Sequence, residues 1–237
     1  MIRVALIGNP NVGKTELFNR LTGLRQHVGN WPGVTVEKKV GKCMYKGVEL
    51  EIVDLPGTYS LTAHSIDELI ARDYIVEEKP DVVIDIVDGT NLERNLYLTL
   101  LLLELEANVV LALNQWDMVN ERGIEIDVDK LSELLGIPVV PTVATTGEGV
   151  EALKEAVLNA ACENDRGKRR KIVMGYGEDV EAAIKRVDGV IAKDANLSEK
   201  YPSRWLAIKA LEHDDAVLKR MADRPYWHEI KELLSQR

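Results

Sequence analysis

Five apolar runs, Ile2–Ile7, Val48–Asp54, Val82–Val87, Val109–Leu113 and Pro138–Val140, recur along the first 140 residues, with helix-period patterns between most of them. This alternation constrains the fold more than any other feature. Strands joined by helical crossovers pair in parallel, so the chain should build an α/β fold with helices on both faces of a mostly parallel sheet. Apolar spacing places helices near Lys14–Gly23, Ile66–Glu77, Leu92–Glu104, Val128–Leu135 and Val150–Ala161. In "VEKKVGKCMYKGVELEIVDLP" only Tyr45-Lys46-Gly47 separates two extended runs, which is too short for a crossover and reads as a β-hairpin. The expectation is a six-stranded sheet with one antiparallel edge strand.

Strand patterns end at Glu163–Asp179, "ENDRGKRRKIVMGYGED", which reads as a linker between a first unit, 1–163, and a second, 164–237. Beyond it only helical periodicities remain: Val180, Ala183, Ile184, Val187 and Ile191, then Trp205, Ile208, Leu211, Leu218 and Met221. Such a short all-α unit makes a poor independent core and should dock on the first.

Net charge narrows the partners. With 30 Lys+Arg against 39 Asp+Glu the chain carries −9, which argues against a nucleic-acid coat. The start, "MIRVALIG", runs directly into a strand and lacks the form of a signal peptide. The most apolar segment, Leu96–Asn114, is interrupted by Glu104 and Glu106 and is read as a buried helix and strand, not a membrane span. Cys43 and Cys162 fit neither a disulfide framework nor a zinc pattern and read as small buried residues. His27, His64, His213 and His228 show no metal-ligand spacing.

The chemistry starts where the first strand breaks. Gly8-Asn9-Pro10-Asn11-Val12-Gly13-Lys14-Thr15 matches G-x-x-x-x-G-K-[ST] between a strand and a helix, a loop whose backbone N–H groups curl around phosphate. Lys14 reaches the β- and γ-phosphates, and the Thr15 hydroxyl ligates Mg²⁺. Asp54-Leu55-Pro56-Gly57 supplies a D-x-x-G, in which Asp54 holds the Mg²⁺ shell through water and the Gly57 N–H meets the γ-phosphate. In "WPGVTVE", Gly33 and Val34 precede Thr35, a hydroxyl that can complete the Mg²⁺ shell. Asn114-Gln115-Trp116-Asp117 ends a strand, and Asp117 can accept both N1–H and the 2-amino group of guanine. Val143, Ala144 and Thr145, in "VATTGEG", are placed to give a backbone N–H to the guanine carbonyl.

In this order the motifs resemble those of the Ras-like, translation-factor-related GTPases. The resemblance implies the P-loop GTPase fold, GTP or GDP as ligand, and Mg²⁺. Two positions depart from it. Gln115 replaces the lysine that braces base and phosphate loop, which implies weaker nucleotide binding and faster release. Thr58 stands where a glutamine would orient water, which implies slow intrinsic hydrolysis.

The longer string "GNPNVGKTELFNRLTGLRQHVGNWPGVTVEKK", with "VDLPGTYSL" and "SIDELIARDYI", resembles the cytoplasmic N-terminal part of the ferrous iron transport protein B family across essentially all of 1–237. The resemblance implies a G domain, a helical domain that stabilises the GDP state, and a membrane domain of the same polypeptide that moves Fe²⁺ and is absent here. Small accessory Feo proteins are possible partners, nucleic acid is not expected, and no residue argues an oligomeric state. It further implies K⁺ in the place of an arginine finger, held by Asn11 and by carbonyls near Gly29 and Trp31, so that Lys14, Thr35, Gly57 and Asn11 carry catalysis. Trp31 itself reads equally as a mobile-loop hydrophobe or a lid over the base. Lys168-Arg169-Arg170-Lys171 reads as a solvated linker before a lipid-facing patch, and Ser65-Ile66-Asp67-Glu68 as a capping box before an iron sensor. Two rivals stay open: a GTPase of ribosome or tRNA maturation, and a GTP-sensing module without useful catalysis.

Overall fold

The computed structural model describes residues 1–23, 26–62, 65–162 and 174–235. Among these, seven strands form one sheet: β1 (Ile2–Gly8), β2 (Gln26–Asn30), β3 (Glu37–Tyr45), β4 (Val48–Asp54), β5 (Val82–Asp88), β6 (Val109–Asn114) and β7 (Val139–Pro141), in the order β2-β3-β4-β1-β5-β6-β7. The five strands read from apolar runs are the five parallel ones. The expected hairpin is β3–β4, turning at Lys46-Gly47.

The sheet has one strand more than six. β2 pairs antiparallel with β3, so β3 is not an edge strand and β2 takes that place. Every β2 residue is exposed, which is why "QHVGN" shows no strand periodicity: only its backbone is committed to the sheet.

Helices cover both faces: α1 (Lys14–Thr22) and α6 (Val150–Cys162) on one, α2 (Ile66–Asp73) and α3 (Leu92–Glu104) on the other, with short α4 (Trp116–Glu121) and α5 (Val128–Leu135) between later strands. α2 continues as a π-helical turn over Tyr74–Glu78. Its start is the expected capping box, with the Ser65 hydroxyl accepting from the Glu68 N–H and the Glu68 carboxylate accepting from the Ser65 N–H.

The tail forms α7 (Glu178–Ile191), α8 (Ala195–Lys200), α9 (Ser203–Leu211), α10 (Asp215–Met221) and α11 (Trp227–Ser235). It docks as expected: Trp205, Leu206 and Ile208 share one apolar cluster with Ile75, Val76 and Leu105 of the first unit. Buried Arg72 of α2 pairs with Asp214 at 3.0 Å, and Arg220 reaches Asp73 at 3.2 Å. Three readings are corrected. Val180 is exposed, because α7 buries the stripe through Ile184, Val187, Val190 and Ile191 instead. Cys162 is exposed and Cys43 only half-buried, since they lie at a helix end and near a sheet edge. The proposed domain boundary, the basic run Lys168–Lys171 and His64 lie outside the described residues.

One polar residue interrupts the core unannounced. Asp85, in the middle of β5, is completely buried, accepts a 2.6 Å hydrogen bond from Thr99 of α3, and has its other oxygen unpaired. Burial pushes its carboxyl up to about 7. The folded chain therefore binds a proton there between the ordinary carboxylate range and neutrality that the unfolded chain has released. Stability should fall as pH rises through that window, by about 4 kcal/mol in total. Asp85→Asn should flatten this slope in urea unfolding followed from pH 4 to 8; an unchanged slope would assign it to other groups.

Candidate nucleotide site

β4, β1, β5, β6 and β7 run in parallel, so their carboxyl ends share one edge, where open α/β sheets bind ligands. All five motifs open from that edge. β1 ends at Gly8, where an added Cβ would lie 2.6 Å from the Ile86 carbonyl, so only glycine lets the chain leave beside β5. The loop enters α1 through Gly13 at φ 89, where a Cβ would strike the Asn114 amide at 2.4 Å. α1 thus points its free N–H groups into the loop, an anion-binding arrangement.

Within the loop, Pro10 and Asn11 are exposed and Val12 is buried. Asn9 is 3% exposed, with both side-chain polar atoms unpaired among the described residues. Asn11 adopts φ 68, and its carbonyl accepts a long 3.5 Å bond from Gln115 Nε2. Gln115 therefore reaches the phosphate loop, as a lysine there would, through a single weak contact. Lys14 forms an ion pair with Asp54, both largely buried. Thr15 is exposed one residue on. The Thr15 hydroxyl and Asp54 carboxylate are hard oxygen donors suited to Mg²⁺.

Leu55 continues the β4 ladder onto Leu6, and the Thr58 N–H bonds the Gly8 carbonyl at 3.2 Å, which lays Gly57 against Pro10. The Thr58 hydroxyl is turned onto the Ser60 carbonyl at 2.8 Å. Ser60 and Thr62 in turn donate to Glu68, fastening this segment to the start of α2.

Asn114 does more than the motif implied. Its Nδ2 donates to the Val12 carbonyl at 2.7 Å, while its Oδ1 accepts from the Ala144 N–H at 3.0 Å and the Thr142 hydroxyl at 3.2 Å. It laces the phosphate loop to the 143–145 loop. The Val143 N–H bonds the Glu148 carbonyl, which leaves Thr145 as the one of the three with an uncommitted N–H among the described residues. Arg20 of α1 holds this loop through the Ala144 and Thr145 carbonyls. Sequence reasoning missed that brace; nothing but its position in the last turn of α1 marks it. Asp117 is exposed in the first turn of α4, after partly buried Trp116, and the strained left-handed backbone at Gln115 makes the corner.

The 31–36 segment departs from expectation. It is the tip of the β2–β3 hairpin, with the Trp31 N–H bonded to the Val36 carbonyl and the Trp31 carbonyl to the Val34 N–H. Thr35 is exposed beyond Gly33 (φ 75) and half-buried Val34, and no hydrogen bond joins it to Thr15 or Asp54. Gly29 pairs with Lys38 in the ladder. No hydrogen bond among the described residues joins Gly29 or Trp31 to Asn11. Trp31 sits in the core and not over the base: it is 7% exposed, meets Tyr74 edge-on at 5.5 Å and lies under Lys38, because an indole gains more in the core than at a loop tip.

The family model for ferrous iron transport protein B matches residues 2–157, and that for the FeoB cytosolic helical domain matches 176–237. The Fe(2+) transporter FeoB of Methanocaldococcus jannaschii is 52% identical over 231 residues, 98% of this chain and 34% of the transporter. A Fe(2+) transport protein A/Fe(2+) transporter FeoB fusion protein of Porphyromonas gingivalis is 45% identical over 227 residues, 95% of this chain and 27% of the fusion. This chain spans about a third or less of these curated relatives. Among solved structures, the cytosolic domain of the T. maritima FeoB iron transporter superposes in its GDP form II with a TM-score of 0.89 at 43% identity, covering 99% of this chain and 93% of that one. Its GMPPNP form gives 0.88 at the same identity and coverage.

Proposed function

This chain belongs to the ferrous iron transport protein B family, and from that premise we propose that it binds GTP and hydrolyses it as a regulatory domain on the cytoplasmic side of a membrane Fe²⁺ transporter. We take 1–163 as the G domain and 164–237 as the helical domain acting on the GDP state. The transporter portion lies in the length by which the relatives exceed this chain, and the Porphyromonas fusion supports a Feo accessory partner. The observation that carries the nucleotide reading is the lacing by Asn114, which couples a phosphate loop to a base-binding loop across one sheet edge.

The residue roles in this reading are as follows. Backbone N–H groups of 8–15, other than Pro10, cradle the phosphates; Lys14 exchanges Asp54 for phosphate oxygens; Gly57 offers its N–H to the γ-phosphate; Asp117 and the Thr145 N–H read guanine. Mg²⁺, with Thr15, Thr35 and water-bridged Asp54 to hold it, would neutralise phosphate charge. The exposed Asn11 amide, which has no side-chain hydrogen bond among the described residues, and the carbonyls of Gly29 and Trp31 would hold K⁺, supplying charge that a missing arginine finger does not. The Thr58 hydroxyl donates to the Ser60 carbonyl, which supports the reading that intrinsic turnover is slow.

Phosphate release in K⁺ compared with Na⁺ tests the assignment. Turnover should be faster in K⁺, and Asn11→Ala should remove that difference while GDP still binds; stimulation retained in the variant would sink the Asn11 role. Release in neither salt would favour a nucleotide-sensing module. The transporter assignment is checked in the source gene, where several apolar stretches of about 20 residues should follow Arg237.

A further inference from the structure

Arg94 breaks a local rule. It lies in the first turn of α3, where the positive helix end disfavours a cation, and no acidic or hydrogen-bonding partner faces it among the described residues. Its guanidinium instead sits 4.5 Å from the ring centroid of Tyr59, an exposed residue two positions beyond Gly57. The support beneath Arg94 is rigid. Neighbouring Asn95 is buried, donates to the Asn91 carbonyl at 2.9 Å and accepts from the Asp88 N–H, clamping the first turn of α3 to the end of β5.

Hydrogen bonds among the described residues hold the segment that Tyr59 belongs to from two sides. The Thr58 N–H is on the phosphate loop and Ser60 is on Glu68 of α2, while on the α3 side buried Leu61 shares the apolar cluster of Leu98 and the stacked arginine covers Tyr59. We propose that Arg94 is a positioning residue for GTP hydrolysis, acting through Tyr59 to fix the segment whose Gly57 N–H must meet the γ-phosphate. This rests on the GTPase reading above. A planar guanidinium suits the task because it stacks on a ring without needing a carboxylate, which a lysine does less well.

Single-turnover phosphate release should slow about two- to fivefold in Arg94→Ala, the size of one exposed cation–π contact, with GDP affinity and melting temperature unchanged. Arg94→Lys should recover part of the loss. Tyr59→Ala should match Arg94→Ala, the double variant should be no slower than either, and Tyr59→Phe, which keeps the ring, should restore what Tyr59→Ala loses. An unchanged rate in Arg94→Ala, additive losses, or a parallel loss of GDP affinity would overturn the proposal. Should the parent chain release no phosphate at all, it is the hydrolysis reading that fails. The Arg94–Tyr59 contact is then read from the ratio of GMPPNP to GDP affinity, which Arg94→Ala should lower by the same factor; an unchanged ratio overturns the proposal.

Discussion

Replacing Asp214 by alanine is expected to lower the stability of the folded chain by about 4 kcal/mol, the range for breaking a buried ion pair from one side. Both side chains of the Arg72–Asp214 pair are almost fully enclosed, at 1% and 5% exposure. Arg72 already has one nitrogen without a partner, so losing Asp214 leaves a buried guanidinium whose one remaining carboxylate among the described residues is Asp73 at 3.4 Å. The same carboxylate caps α10, accepting from the Ala216 and Val217 N–H groups at 3.0 Å. Urea unfolding reads the effect. Removing both charges with Arg72→Leu and Asp214→Asn should be much milder than Asp214→Ala, because no unpaired charge remains and the amide oxygen still caps. If the double replacement is as damaging as the single one, the stability lies in the shape of this contact and not in its charge. Asp73→Ala, which removes the part-exposed contact to Arg220 and the longer 3.4 Å contact to Arg72 but leaves Arg72 paired with Asp214, should cost less than Asp214→Ala.

The second large effect is on the ligand. Asp117→Ala should weaken GTP by about 10²- to 10⁴-fold, since two hydrogen bonds to a carboxylate are lost, while ATP, which makes neither, should change little. Displacement of a fluorescent GDP analogue by GTP and by ATP measures both. GTP affinity that survives the substitution would mean that the base is read elsewhere.

What the sequence made legible follows from what kind of signal each part carries. The parallel strands are buried on both faces and show as apolar runs, and the motif loops show because phosphate and guanine chemistry dictates residue type at fixed spacing. β2 stayed hidden because an all-exposed edge strand is specified by backbone pairing with β3, not by its side chains. Trp31 was misjudged because a tryptophan beside a glycine-containing loop carries no mark of its partner Tyr74, which lies 43 positions away. Asp85 was passed over because one acid inside "VVIDIVD" does not disturb a strand pattern, and its partner Thr99 is brought close only by the packing of α3. The roles of Asn114 and Thr145 sharpened for a related reason: the motif names the loop, but only the bonding network shows which N–H is already taken.

The central claim is that this sheet edge turns over GTP. The most direct measurement is single-turnover phosphate release from GTP and from ATP by this chain with Mg²⁺ and K⁺. The account predicts slow release from GTP, less in Na⁺, and none above background from ATP. Equal release from both nucleotides, or none from GTP over hours with GDP binding intact, would contradict it.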